Sequence, residues 1–273
     1  MTTLASDGGT DSWIPDGVTA LAEHAPEVAT SFARLVSVRP SGVNDEMLEG
    51  PEVAAFADQF RVDVSVIDEQ LRAAFATATG ERSVAIAQMV WISDVAPRVH
   101  AALDALFGPS EEWPGRRRQP VADTWGVIDA FLRSVARLDA LDVTATELVR
   151  LRGARQHHCR ICQSRRSAAA IEAGADAVMF DAVDHYESSD LPDATKAALA
   201  LTDAMIWTPT AIPEPVVAAV RELLTPAQAV EVVLDVARNA ANKIAVALGA
   251  DAATVTDGIE LFVTEADGGL RVV

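Results

Sequence analysis

The amino-acid sequence predicts an all-α fold, and three observations carry that expectation. Half of its 273 residues are hydrophobic, yet alanine and valine dominate and aromatic residues make up only 5%. Such a core suits closely packed helices, because alanine loses least on entering a helix and lets two backbones approach. Apolar residues also recur at helical spacing. Val230, Val233, Leu234, Ala237, Ala241, Ile244, Ala245 and Leu248 trace one face with a 3.6-residue period. Finally, helix start signals precede the periodic stretches, as in Thr225-Pro226-Ala227-Gln228, which has the form of a capping box.

Residues 1–14, polar and Gly-rich, read as a mobile arm. Helical patterning begins near Pro15 and continues through Glu27–Val38, where Pro26 suits a first helical turn. Further helices are expected over Val53–Phe60, Val66–Ala78 and about Gly80–Leu106, the last closed by Gly108-Pro109. Residues 15–108 would form an N-terminal half without cysteines. The stretch 109–120, rich in Pro, Gly and Arg, reads as a linker that includes the basic run Arg116-Arg117-Arg118.

A second half, 121–258, resumes with a helix over Asp123–Leu141. Thr144-Ala145-Thr146-Glu147 reads as a capping box for the next helix. Helices follow over Cys159–Ala173, Ala175–His185, Pro192–Trp207 and Pro213–Leu224, and then from the Thr225 cap. The tail, 259–273, carries Asp267-Gly268-Gly269 between β-prone runs and predicts a small hairpin. Ala78–Ala105 can be laid on Leu223–Ala250 without a gap, so that Asp94 meets Asn239 and Arg98 meets Lys243. That register fits two related helical repeats with a polar layer between them. Trp91, Trp125 and Trp207 sit in apolar helical settings and are expected in the core or an interface.

The net charge of −18 makes nucleic acid and membrane surfaces poor partners, since both are anionic. No basic, apolar leader opens the sequence, and two cysteines do not make a secreted disulfide scaffold. A reducing cytoplasm is the expected compartment. There, a close pair of cysteines points to redox chemistry or metal more than to structure.

That pair is Cys159 and Cys162. Three residues apart on a helix, their Cα atoms would lie about 5 Å apart, within disulfide reach. A helix starting near Cys159 would offer unpaired N–H groups to a thiolate, and Arg155, Arg160, Arg165 and Arg166 add positive charge. The segment alone leaves three readings open: a redox dithiol, a pair of buried core thiols, or a metal site that includes His157 and His158. Against metal, a single C-x-x-C lacks a second half-site, and ligands so close in sequence crowd each other.

With Glu147 twelve residues before Cys159 and Cys162 three residues after it, the segment resembles the AhpD-like (alkylhydroperoxidase-like, carboxymuconolactone decarboxylase) superfamily. Its motif usually reads E-x11-C-x-H-C-x3-H. The resemblance covers Val121–Asp257, and Val66–Leu106 more loosely as a cysteine-free repeat. It looks closest to the longer actinobacterial-type members.

The resemblance implies an all-α AhpD-like fold, a homo-oligomer, and thiol-dependent reduction of a peroxide or small disulfide. An external dithiol would reset the pair, with no cofactor and no metal. It implies Cys162 as the peroxidatic cysteine, Cys159 as the resolving one and Glu147 in a proton relay. Dipole reasoning alone favours Cys159 as the more acidic thiol; Arg165 and Arg166, one helical turn beyond Cys162, side with the family assignment.

Two departures stand out. Ile161 and Arg166 occupy the positions of the family's histidines, and neither moves a proton as imidazole does. Arg166 supports a thiolate by charge only, and His157 or His158 are the replacement candidates. Two alternatives remain: a carboxymuconolactone decarboxylase-like lyase, for which no dedicated proton-moving set is visible, and a non-enzymatic redox sensor or scaffold.

Overall fold

In the computed structural model, which describes Trp13 and residues 16–115 and 118–273, short polar side chains set the starts of most helices. Asp16 caps α1 (Gly17–His24), Asn44 caps α3 (Asp45–Leu48) and Asp68 caps α5 (Glu69–Thr79). Asp123 caps α7 (Thr124–Val135), and Asp176 caps α11 (Ala177–Ala182). In each case a side-chain oxygen accepts a backbone N–H of the first turn that has no helical partner. Several of the acidic groups behind the net charge are therefore helix caps. Prolines open α2 (Pro26–Val36) and α4 (Pro51–Val62), where a missing N–H costs nothing.

The described residues form an all-α fold with small sheet elements. Its centre is α6 (Ser83–Phe107), a 25-residue helix that runs unbroken through Pro97 and is buried along most of its length. Beside it lies α14 (Pro226–Asn239), whose Thr225/Gln228 capping box forms as the sequence suggests. Around α14 pack α8 (Val143–Gln156) and α12 (Asp193–Trp207), as well as α6, α7 and α1. The helix α13 (Glu214–Leu223) rests on α12.

Several expectations need correction. The Asp123–Leu141 helix stops at Val135. The α14 helix gives way at Ala240–Asn242 to a 3-10 turn before α15 (Lys243–Ala247), so its periodic stripe is split. The expected Cys159–Ala173 helix does not exist as one element. It is α9 (Arg160–Gln163), then a strand, β3 (Arg165–Ser167), then α10 (Ala168–Glu172), which Ser167 caps. The Thr144 capping box is absent too. Here α8 starts two residues earlier, and Asp142 accepts from both Thr144 and Ala145 N–H. A better-placed cap upstream leaves the Glu147 carboxylate free for the interior.

The linker is ordered at its end, where β2 (Gln119–Val121) pairs in parallel with β1 (Val38–Pro40), a strand in place of the last residues expected for α2. In the tail, β4 (Glu260–Thr264) and β5 (Leu270–Val272) form the expected antiparallel hairpin. Its Gly268 has φ 83°, and a Cβ there would lie 2.2 Å from the Arg133 carbonyl oxygen, so only glycine fits. The pairing that the sequence did not suggest is β4 with β3, in parallel, which straps the tail onto the cysteine segment.

Of the tryptophans, Trp91 is fully buried, whereas Trp125 and Trp207 are about half exposed. The expected arm (1–14) lies outside the described residues apart from Trp13, as do Arg116 and Arg117 of the basic run. No helix among the described residues is long and apolar enough to cross a membrane.

Candidate active site: the Cys159–Cys162 pair

Cys159 and Cys162 are joined in a disulfide, with Cα atoms 5.3 Å apart. Both residues are buried, Cys159 completely. How the chain reaches this point follows from the end of α8. His158 has φ 52°, the left-handed conformation that terminates helices. Its N–H bonds the Arg155 carbonyl at 3.1 Å, and the Cys159 N–H bonds the Ala154 carbonyl at 3.0 Å. Those two bonds make a Schellman motif, so the chain reverses at His158 and delivers Cys159 to the start of α9. His158 is exposed and closes a helix; the structure gives it no hydrogen bond to the pair.

Glu147 is buried and bound twice by Arg150, from Nε to Oε2 at 2.6 Å and from Nη2 to Oε1 at 2.7 Å. The same guanidinium donates to the Cys162 carbonyl at 2.9 Å and the Arg165 carbonyl at 2.8 Å, and it lies 5.4 Å from the centre of the Phe262 ring. Oε1 of Glu147 also accepts the Ser167 N–H at 3.2 Å. Glu147 therefore reaches the dithiol through Arg150 and the backbone. Arg150 was not among the sequence candidates. The available signal was the i, i+3 spacing of Glu147 and Arg150 on one helix.

The other arginines are largely engaged. Arg155 pairs with Asp184 at 2.8 Å, Arg160 with Asp251 at 2.7 Å and Arg165 with Glu260 at 3.1 Å. Arg166 is not one helical turn beyond Cys162, since it stands on β3. Its Nη1 donates to the Gln163 and Arg165 carbonyls at 2.7 and 2.8 Å, and its guanidinium lies over the Phe180 ring of α11. Burial lowers its pKa from the usual arginine range, and the neighbouring Arg150 acts in the same direction.

His157 is buried but belongs to a different cluster. It lines a cavity of about 10 Å³, room for one water, together with Asp94, Arg98, Met205, Ile206 and Lys243. Burial, and then the charges of Lys243 and Arg98, push its pKa well below the usual imidazole value, so the ring is neutral. Asp94 accepts from Arg98 Nε at 2.8 Å and from Lys243 Nζ at 2.6 Å. The anticipated polar layer is thus formed by Asp94, Arg98 and Lys243. Asn239, its expected fourth member, faces Gly153 of α8, and its Nδ2 has no partner. On the same helix, burial pushes Asp235 up to about 8, and its Oδ2 has no hydrogen-bond partner. Among the described residues, no group of three or more His, Cys, Asp or Glu side chains is placed to hold a metal ion.

Fold and site together define a helical protein with a buried C-x-x-C disulfide, braced by a carboxylate–guanidinium pair on the preceding helix. Two proteins of Mycobacterium tuberculosis are similar to it: uncharacterized protein MT2376 of strain CDC 1551 / Oshkosh and uncharacterized protein Rv2313c of strain ATCC 25618 / H37Rv. Each is 41% identical over 225 residues, covering 79% of this chain and 78% of the relative. The chain belongs to the same family as these mycobacterial proteins. No family model matches it, and no solved structure matches it.

Proposed function

We propose that this protein is a thiol-dependent peroxidase or disulfide oxidoreductase of the alkylhydroperoxidase-like type, working through the Cys159/Cys162 dithiol. The observation that carries the reading is the disulfide itself, 5.3 Å between Cα atoms, whose Cys162 carbonyl is held by the arginine paired with Glu147. A dithiol that cycles needs two sulfurs in bonding distance and a rigid frame that returns them there. Arg150 and the α8 terminus supply that frame.

In the proposed cycle the Cys162 thiolate attacks one oxygen of a hydroperoxide. The O–O bond breaks, and the departing oxygen takes a proton and leaves as water or an alcohol. Cys162 is then a sulfenic acid. The Cys159 sulfur attacks it, the S–S bond forms, and water leaves. An external dithiol reduces the disulfide through a mixed disulfide, and is itself oxidised. The reading carries with it a reducing, cytoplasmic setting and a homo-oligomer. A lyase of the carboxymuconolactone decarboxylase type is less well supported, because Glu147 is committed to Arg150 and, among the described residues, no hydrogen bond brings a second proton-moving side chain to the pair.

A second reading, a redox sensor without turnover, is favoured by one observation: Cys159 is fully buried and the arginines around the pair are mostly matched by carboxylates. Peroxide consumption with dithiothreitol as reductant separates the two. Turnover that vanishes in Cys162→Ser supports the enzyme. A single stoichiometric oxidation without turnover overturns it in favour of the sensor.

A further inference from the structure

The segment after α15 reaches back to the dithiol through Asp251. Oδ2 of Asp251 accepts the Arg160 N–H at 3.0 Å, and its backbone oxygen accepts the Ile161 N–H, also at 3.0 Å. The Arg160 side chain closes the contact, with Nε 3.2 Å from Oδ2 and Nη2 2.7 Å from Oδ1. The Asp251 side chain is only 5% exposed, whereas that of Arg160 is 60% exposed. Burial alone would raise the Asp251 pKa, but the hydrogen bonds and charge of Arg160 hold it below the ordinary carboxylate value.

Cys159 stands at the N-cap position of α9. The N–H groups of Arg160 and Ile161, just beyond it, are among the donors that would otherwise stabilise a thiolate there. Here both are taken by Asp251, the Arg160 N–H by its carboxylate and the Ile161 N–H by its backbone carbonyl, so a carboxylate charge lies on the backbone of the residue next to Cys159. Of the other charged groups around the segment, the half-buried Arg238 lies within reach of the charges of Arg150 and Glu147 without a salt bridge of its own among the described residues, and the rest are matched or turned elsewhere. Glu147 binds Arg150, Glu260 binds Arg165, Asp184 binds Arg155, and Arg166 lies over Phe180. On the other side of the pair, the Arg150 cation is bound to the Cys162 carbonyl.

We propose that Asp251 is the positioning residue that decides which cysteine carries the thiolate: by setting its carboxylate on the Arg160 N–H and its backbone carbonyl on the Ile161 N–H, it disfavours the thiolate at Cys159 and leaves Cys162 as the attacking sulfur. The inference rests on the dithiol redox reading above. It also explains why simple dipole reasoning, which favours Cys159, does not apply to this chain. Reduction of the disulfide takes up two electrons and, where one sulfur stays a thiolate, one proton, so a charge that disfavours that thiolate also disfavours reduction.

The test uses charge changes of opposite sign at one contact. In a Cys162→Ser background, the rate of Cys159 alkylation by iodoacetamide is followed against pH. Asp251→Asn removes the carboxylate and is expected to raise the fraction of Cys159 present as thiolate about threefold or more at a given pH. Arg160→Gln removes the cation that partly neutralises Asp251 and is expected to lower it. A purely mechanical clamp would be loosened by both substitutions, and both profiles would move the same way. Same-direction shifts, or none, overturn the inference.

Arg160 is exposed, so its variant keeps the test decisive if Asp251→Asn does not fold. In the protein with both cysteines, Asp251→Asn is expected to be reduced at a weaker dithiothreitol ratio than the parent. If the pair fails to cycle at all between dithiothreitol and mild peroxide, the redox reading falls. If it cycles but the opposite-sign pattern is missing, only the role of Asp251 falls.

Discussion

Two buried ion-pair clusters in this molecule are built alike and differ in what they hold. In one, Asp94 of α6 binds Arg98, whose guanidinium donates to the Met205 and Ile206 carbonyls near the end of α12 and to the Arg61 carbonyl in α4. In the other, Glu147 of α8 binds Arg150, whose guanidinium donates to the Cys162 and Arg165 carbonyls. Each arginine converts one buried charge into a clamp on backbone carbonyls from elsewhere in the fold. The first clamp ties helices together. The second ties down the loop that carries the dithiol. The comparison teaches that a buried carboxylate–arginine pair is not in itself a sign of catalysis, and that what its remaining donors reach decides its role.

The largest expected effect breaks both clamps. Arg150→Ala leaves the buried Glu147 unpaired and strips two backbone carbonyls of their donor, at an expected cost of about 3–5 kcal/mol of stability in urea unfolding, whereas Arg98→Ala leaves Asp94 its Lys243 partner and is expected to cost less. Only Arg150→Ala is expected to alter the dithiothreitol midpoint of the Cys159–Cys162 disulfide as well. An equal change in Arg98→Ala would mean that the two clusters are coupled, and would erase the distinction.

A smaller effect separates the clusters by pH. Lys243 is lowered from 10.5 to about 8 by burial, with Asp94 opposing the shift. The unfolded chain therefore binds the lysine proton more tightly than the folded one. Stability contributed by this site should rise as pH increases from 8 to 10.5, by about 3 kcal/mol at most. Lys243→Met is expected to flatten that rise in a series of urea unfolding curves.

The smallest expected effect is on Glu147. Glu147→Gln keeps an acceptor for Arg150 and removes its charge, at a cost of about 1–2 kcal/mol. Peroxide turnover, measured as above, is expected to fall without vanishing, because Glu147 acts on the pair through Arg150. Complete loss, with the fold intact by circular dichroism, would instead place its carboxylate directly in the proton path.

Much of the helical layout was legible in local pattern. Apolar spacing and caps located α2, α4, α5, α6, α12, α13 and the start of α14 to within a few residues, since each depends on its own sequence and one apolar face. The tail hairpin was readable too, from its Asp-Gly-Gly turn. The close approach of Cys159 and Cys162 followed from their three-residue spacing alone. Where local signals competed, the reading failed. Thr144 and Asp142 both offer a cap, and the choice of Asp142 turned Glu147 from a cap partner into a core ion pair.

The sequence by itself determined the helical class, the acidic surface and the position of a bondable cysteine pair, because these follow from composition and from spacing along one segment. The tertiary structure alone decided the surroundings of that pair. Strand β4, nearly a hundred residues downstream of β3, pairs with it and ends the helix expected to carry Arg166, because the backbone groups of Arg165–Ser167 are satisfied across the sheet. Asp251, Glu260 and Asp184 claim the arginines that the sequence left as free positive charge. Which partner neutralises a charge depends on distance in space, and Coulomb energy and hydrogen bonding act over ångströms that sequence separation does not measure.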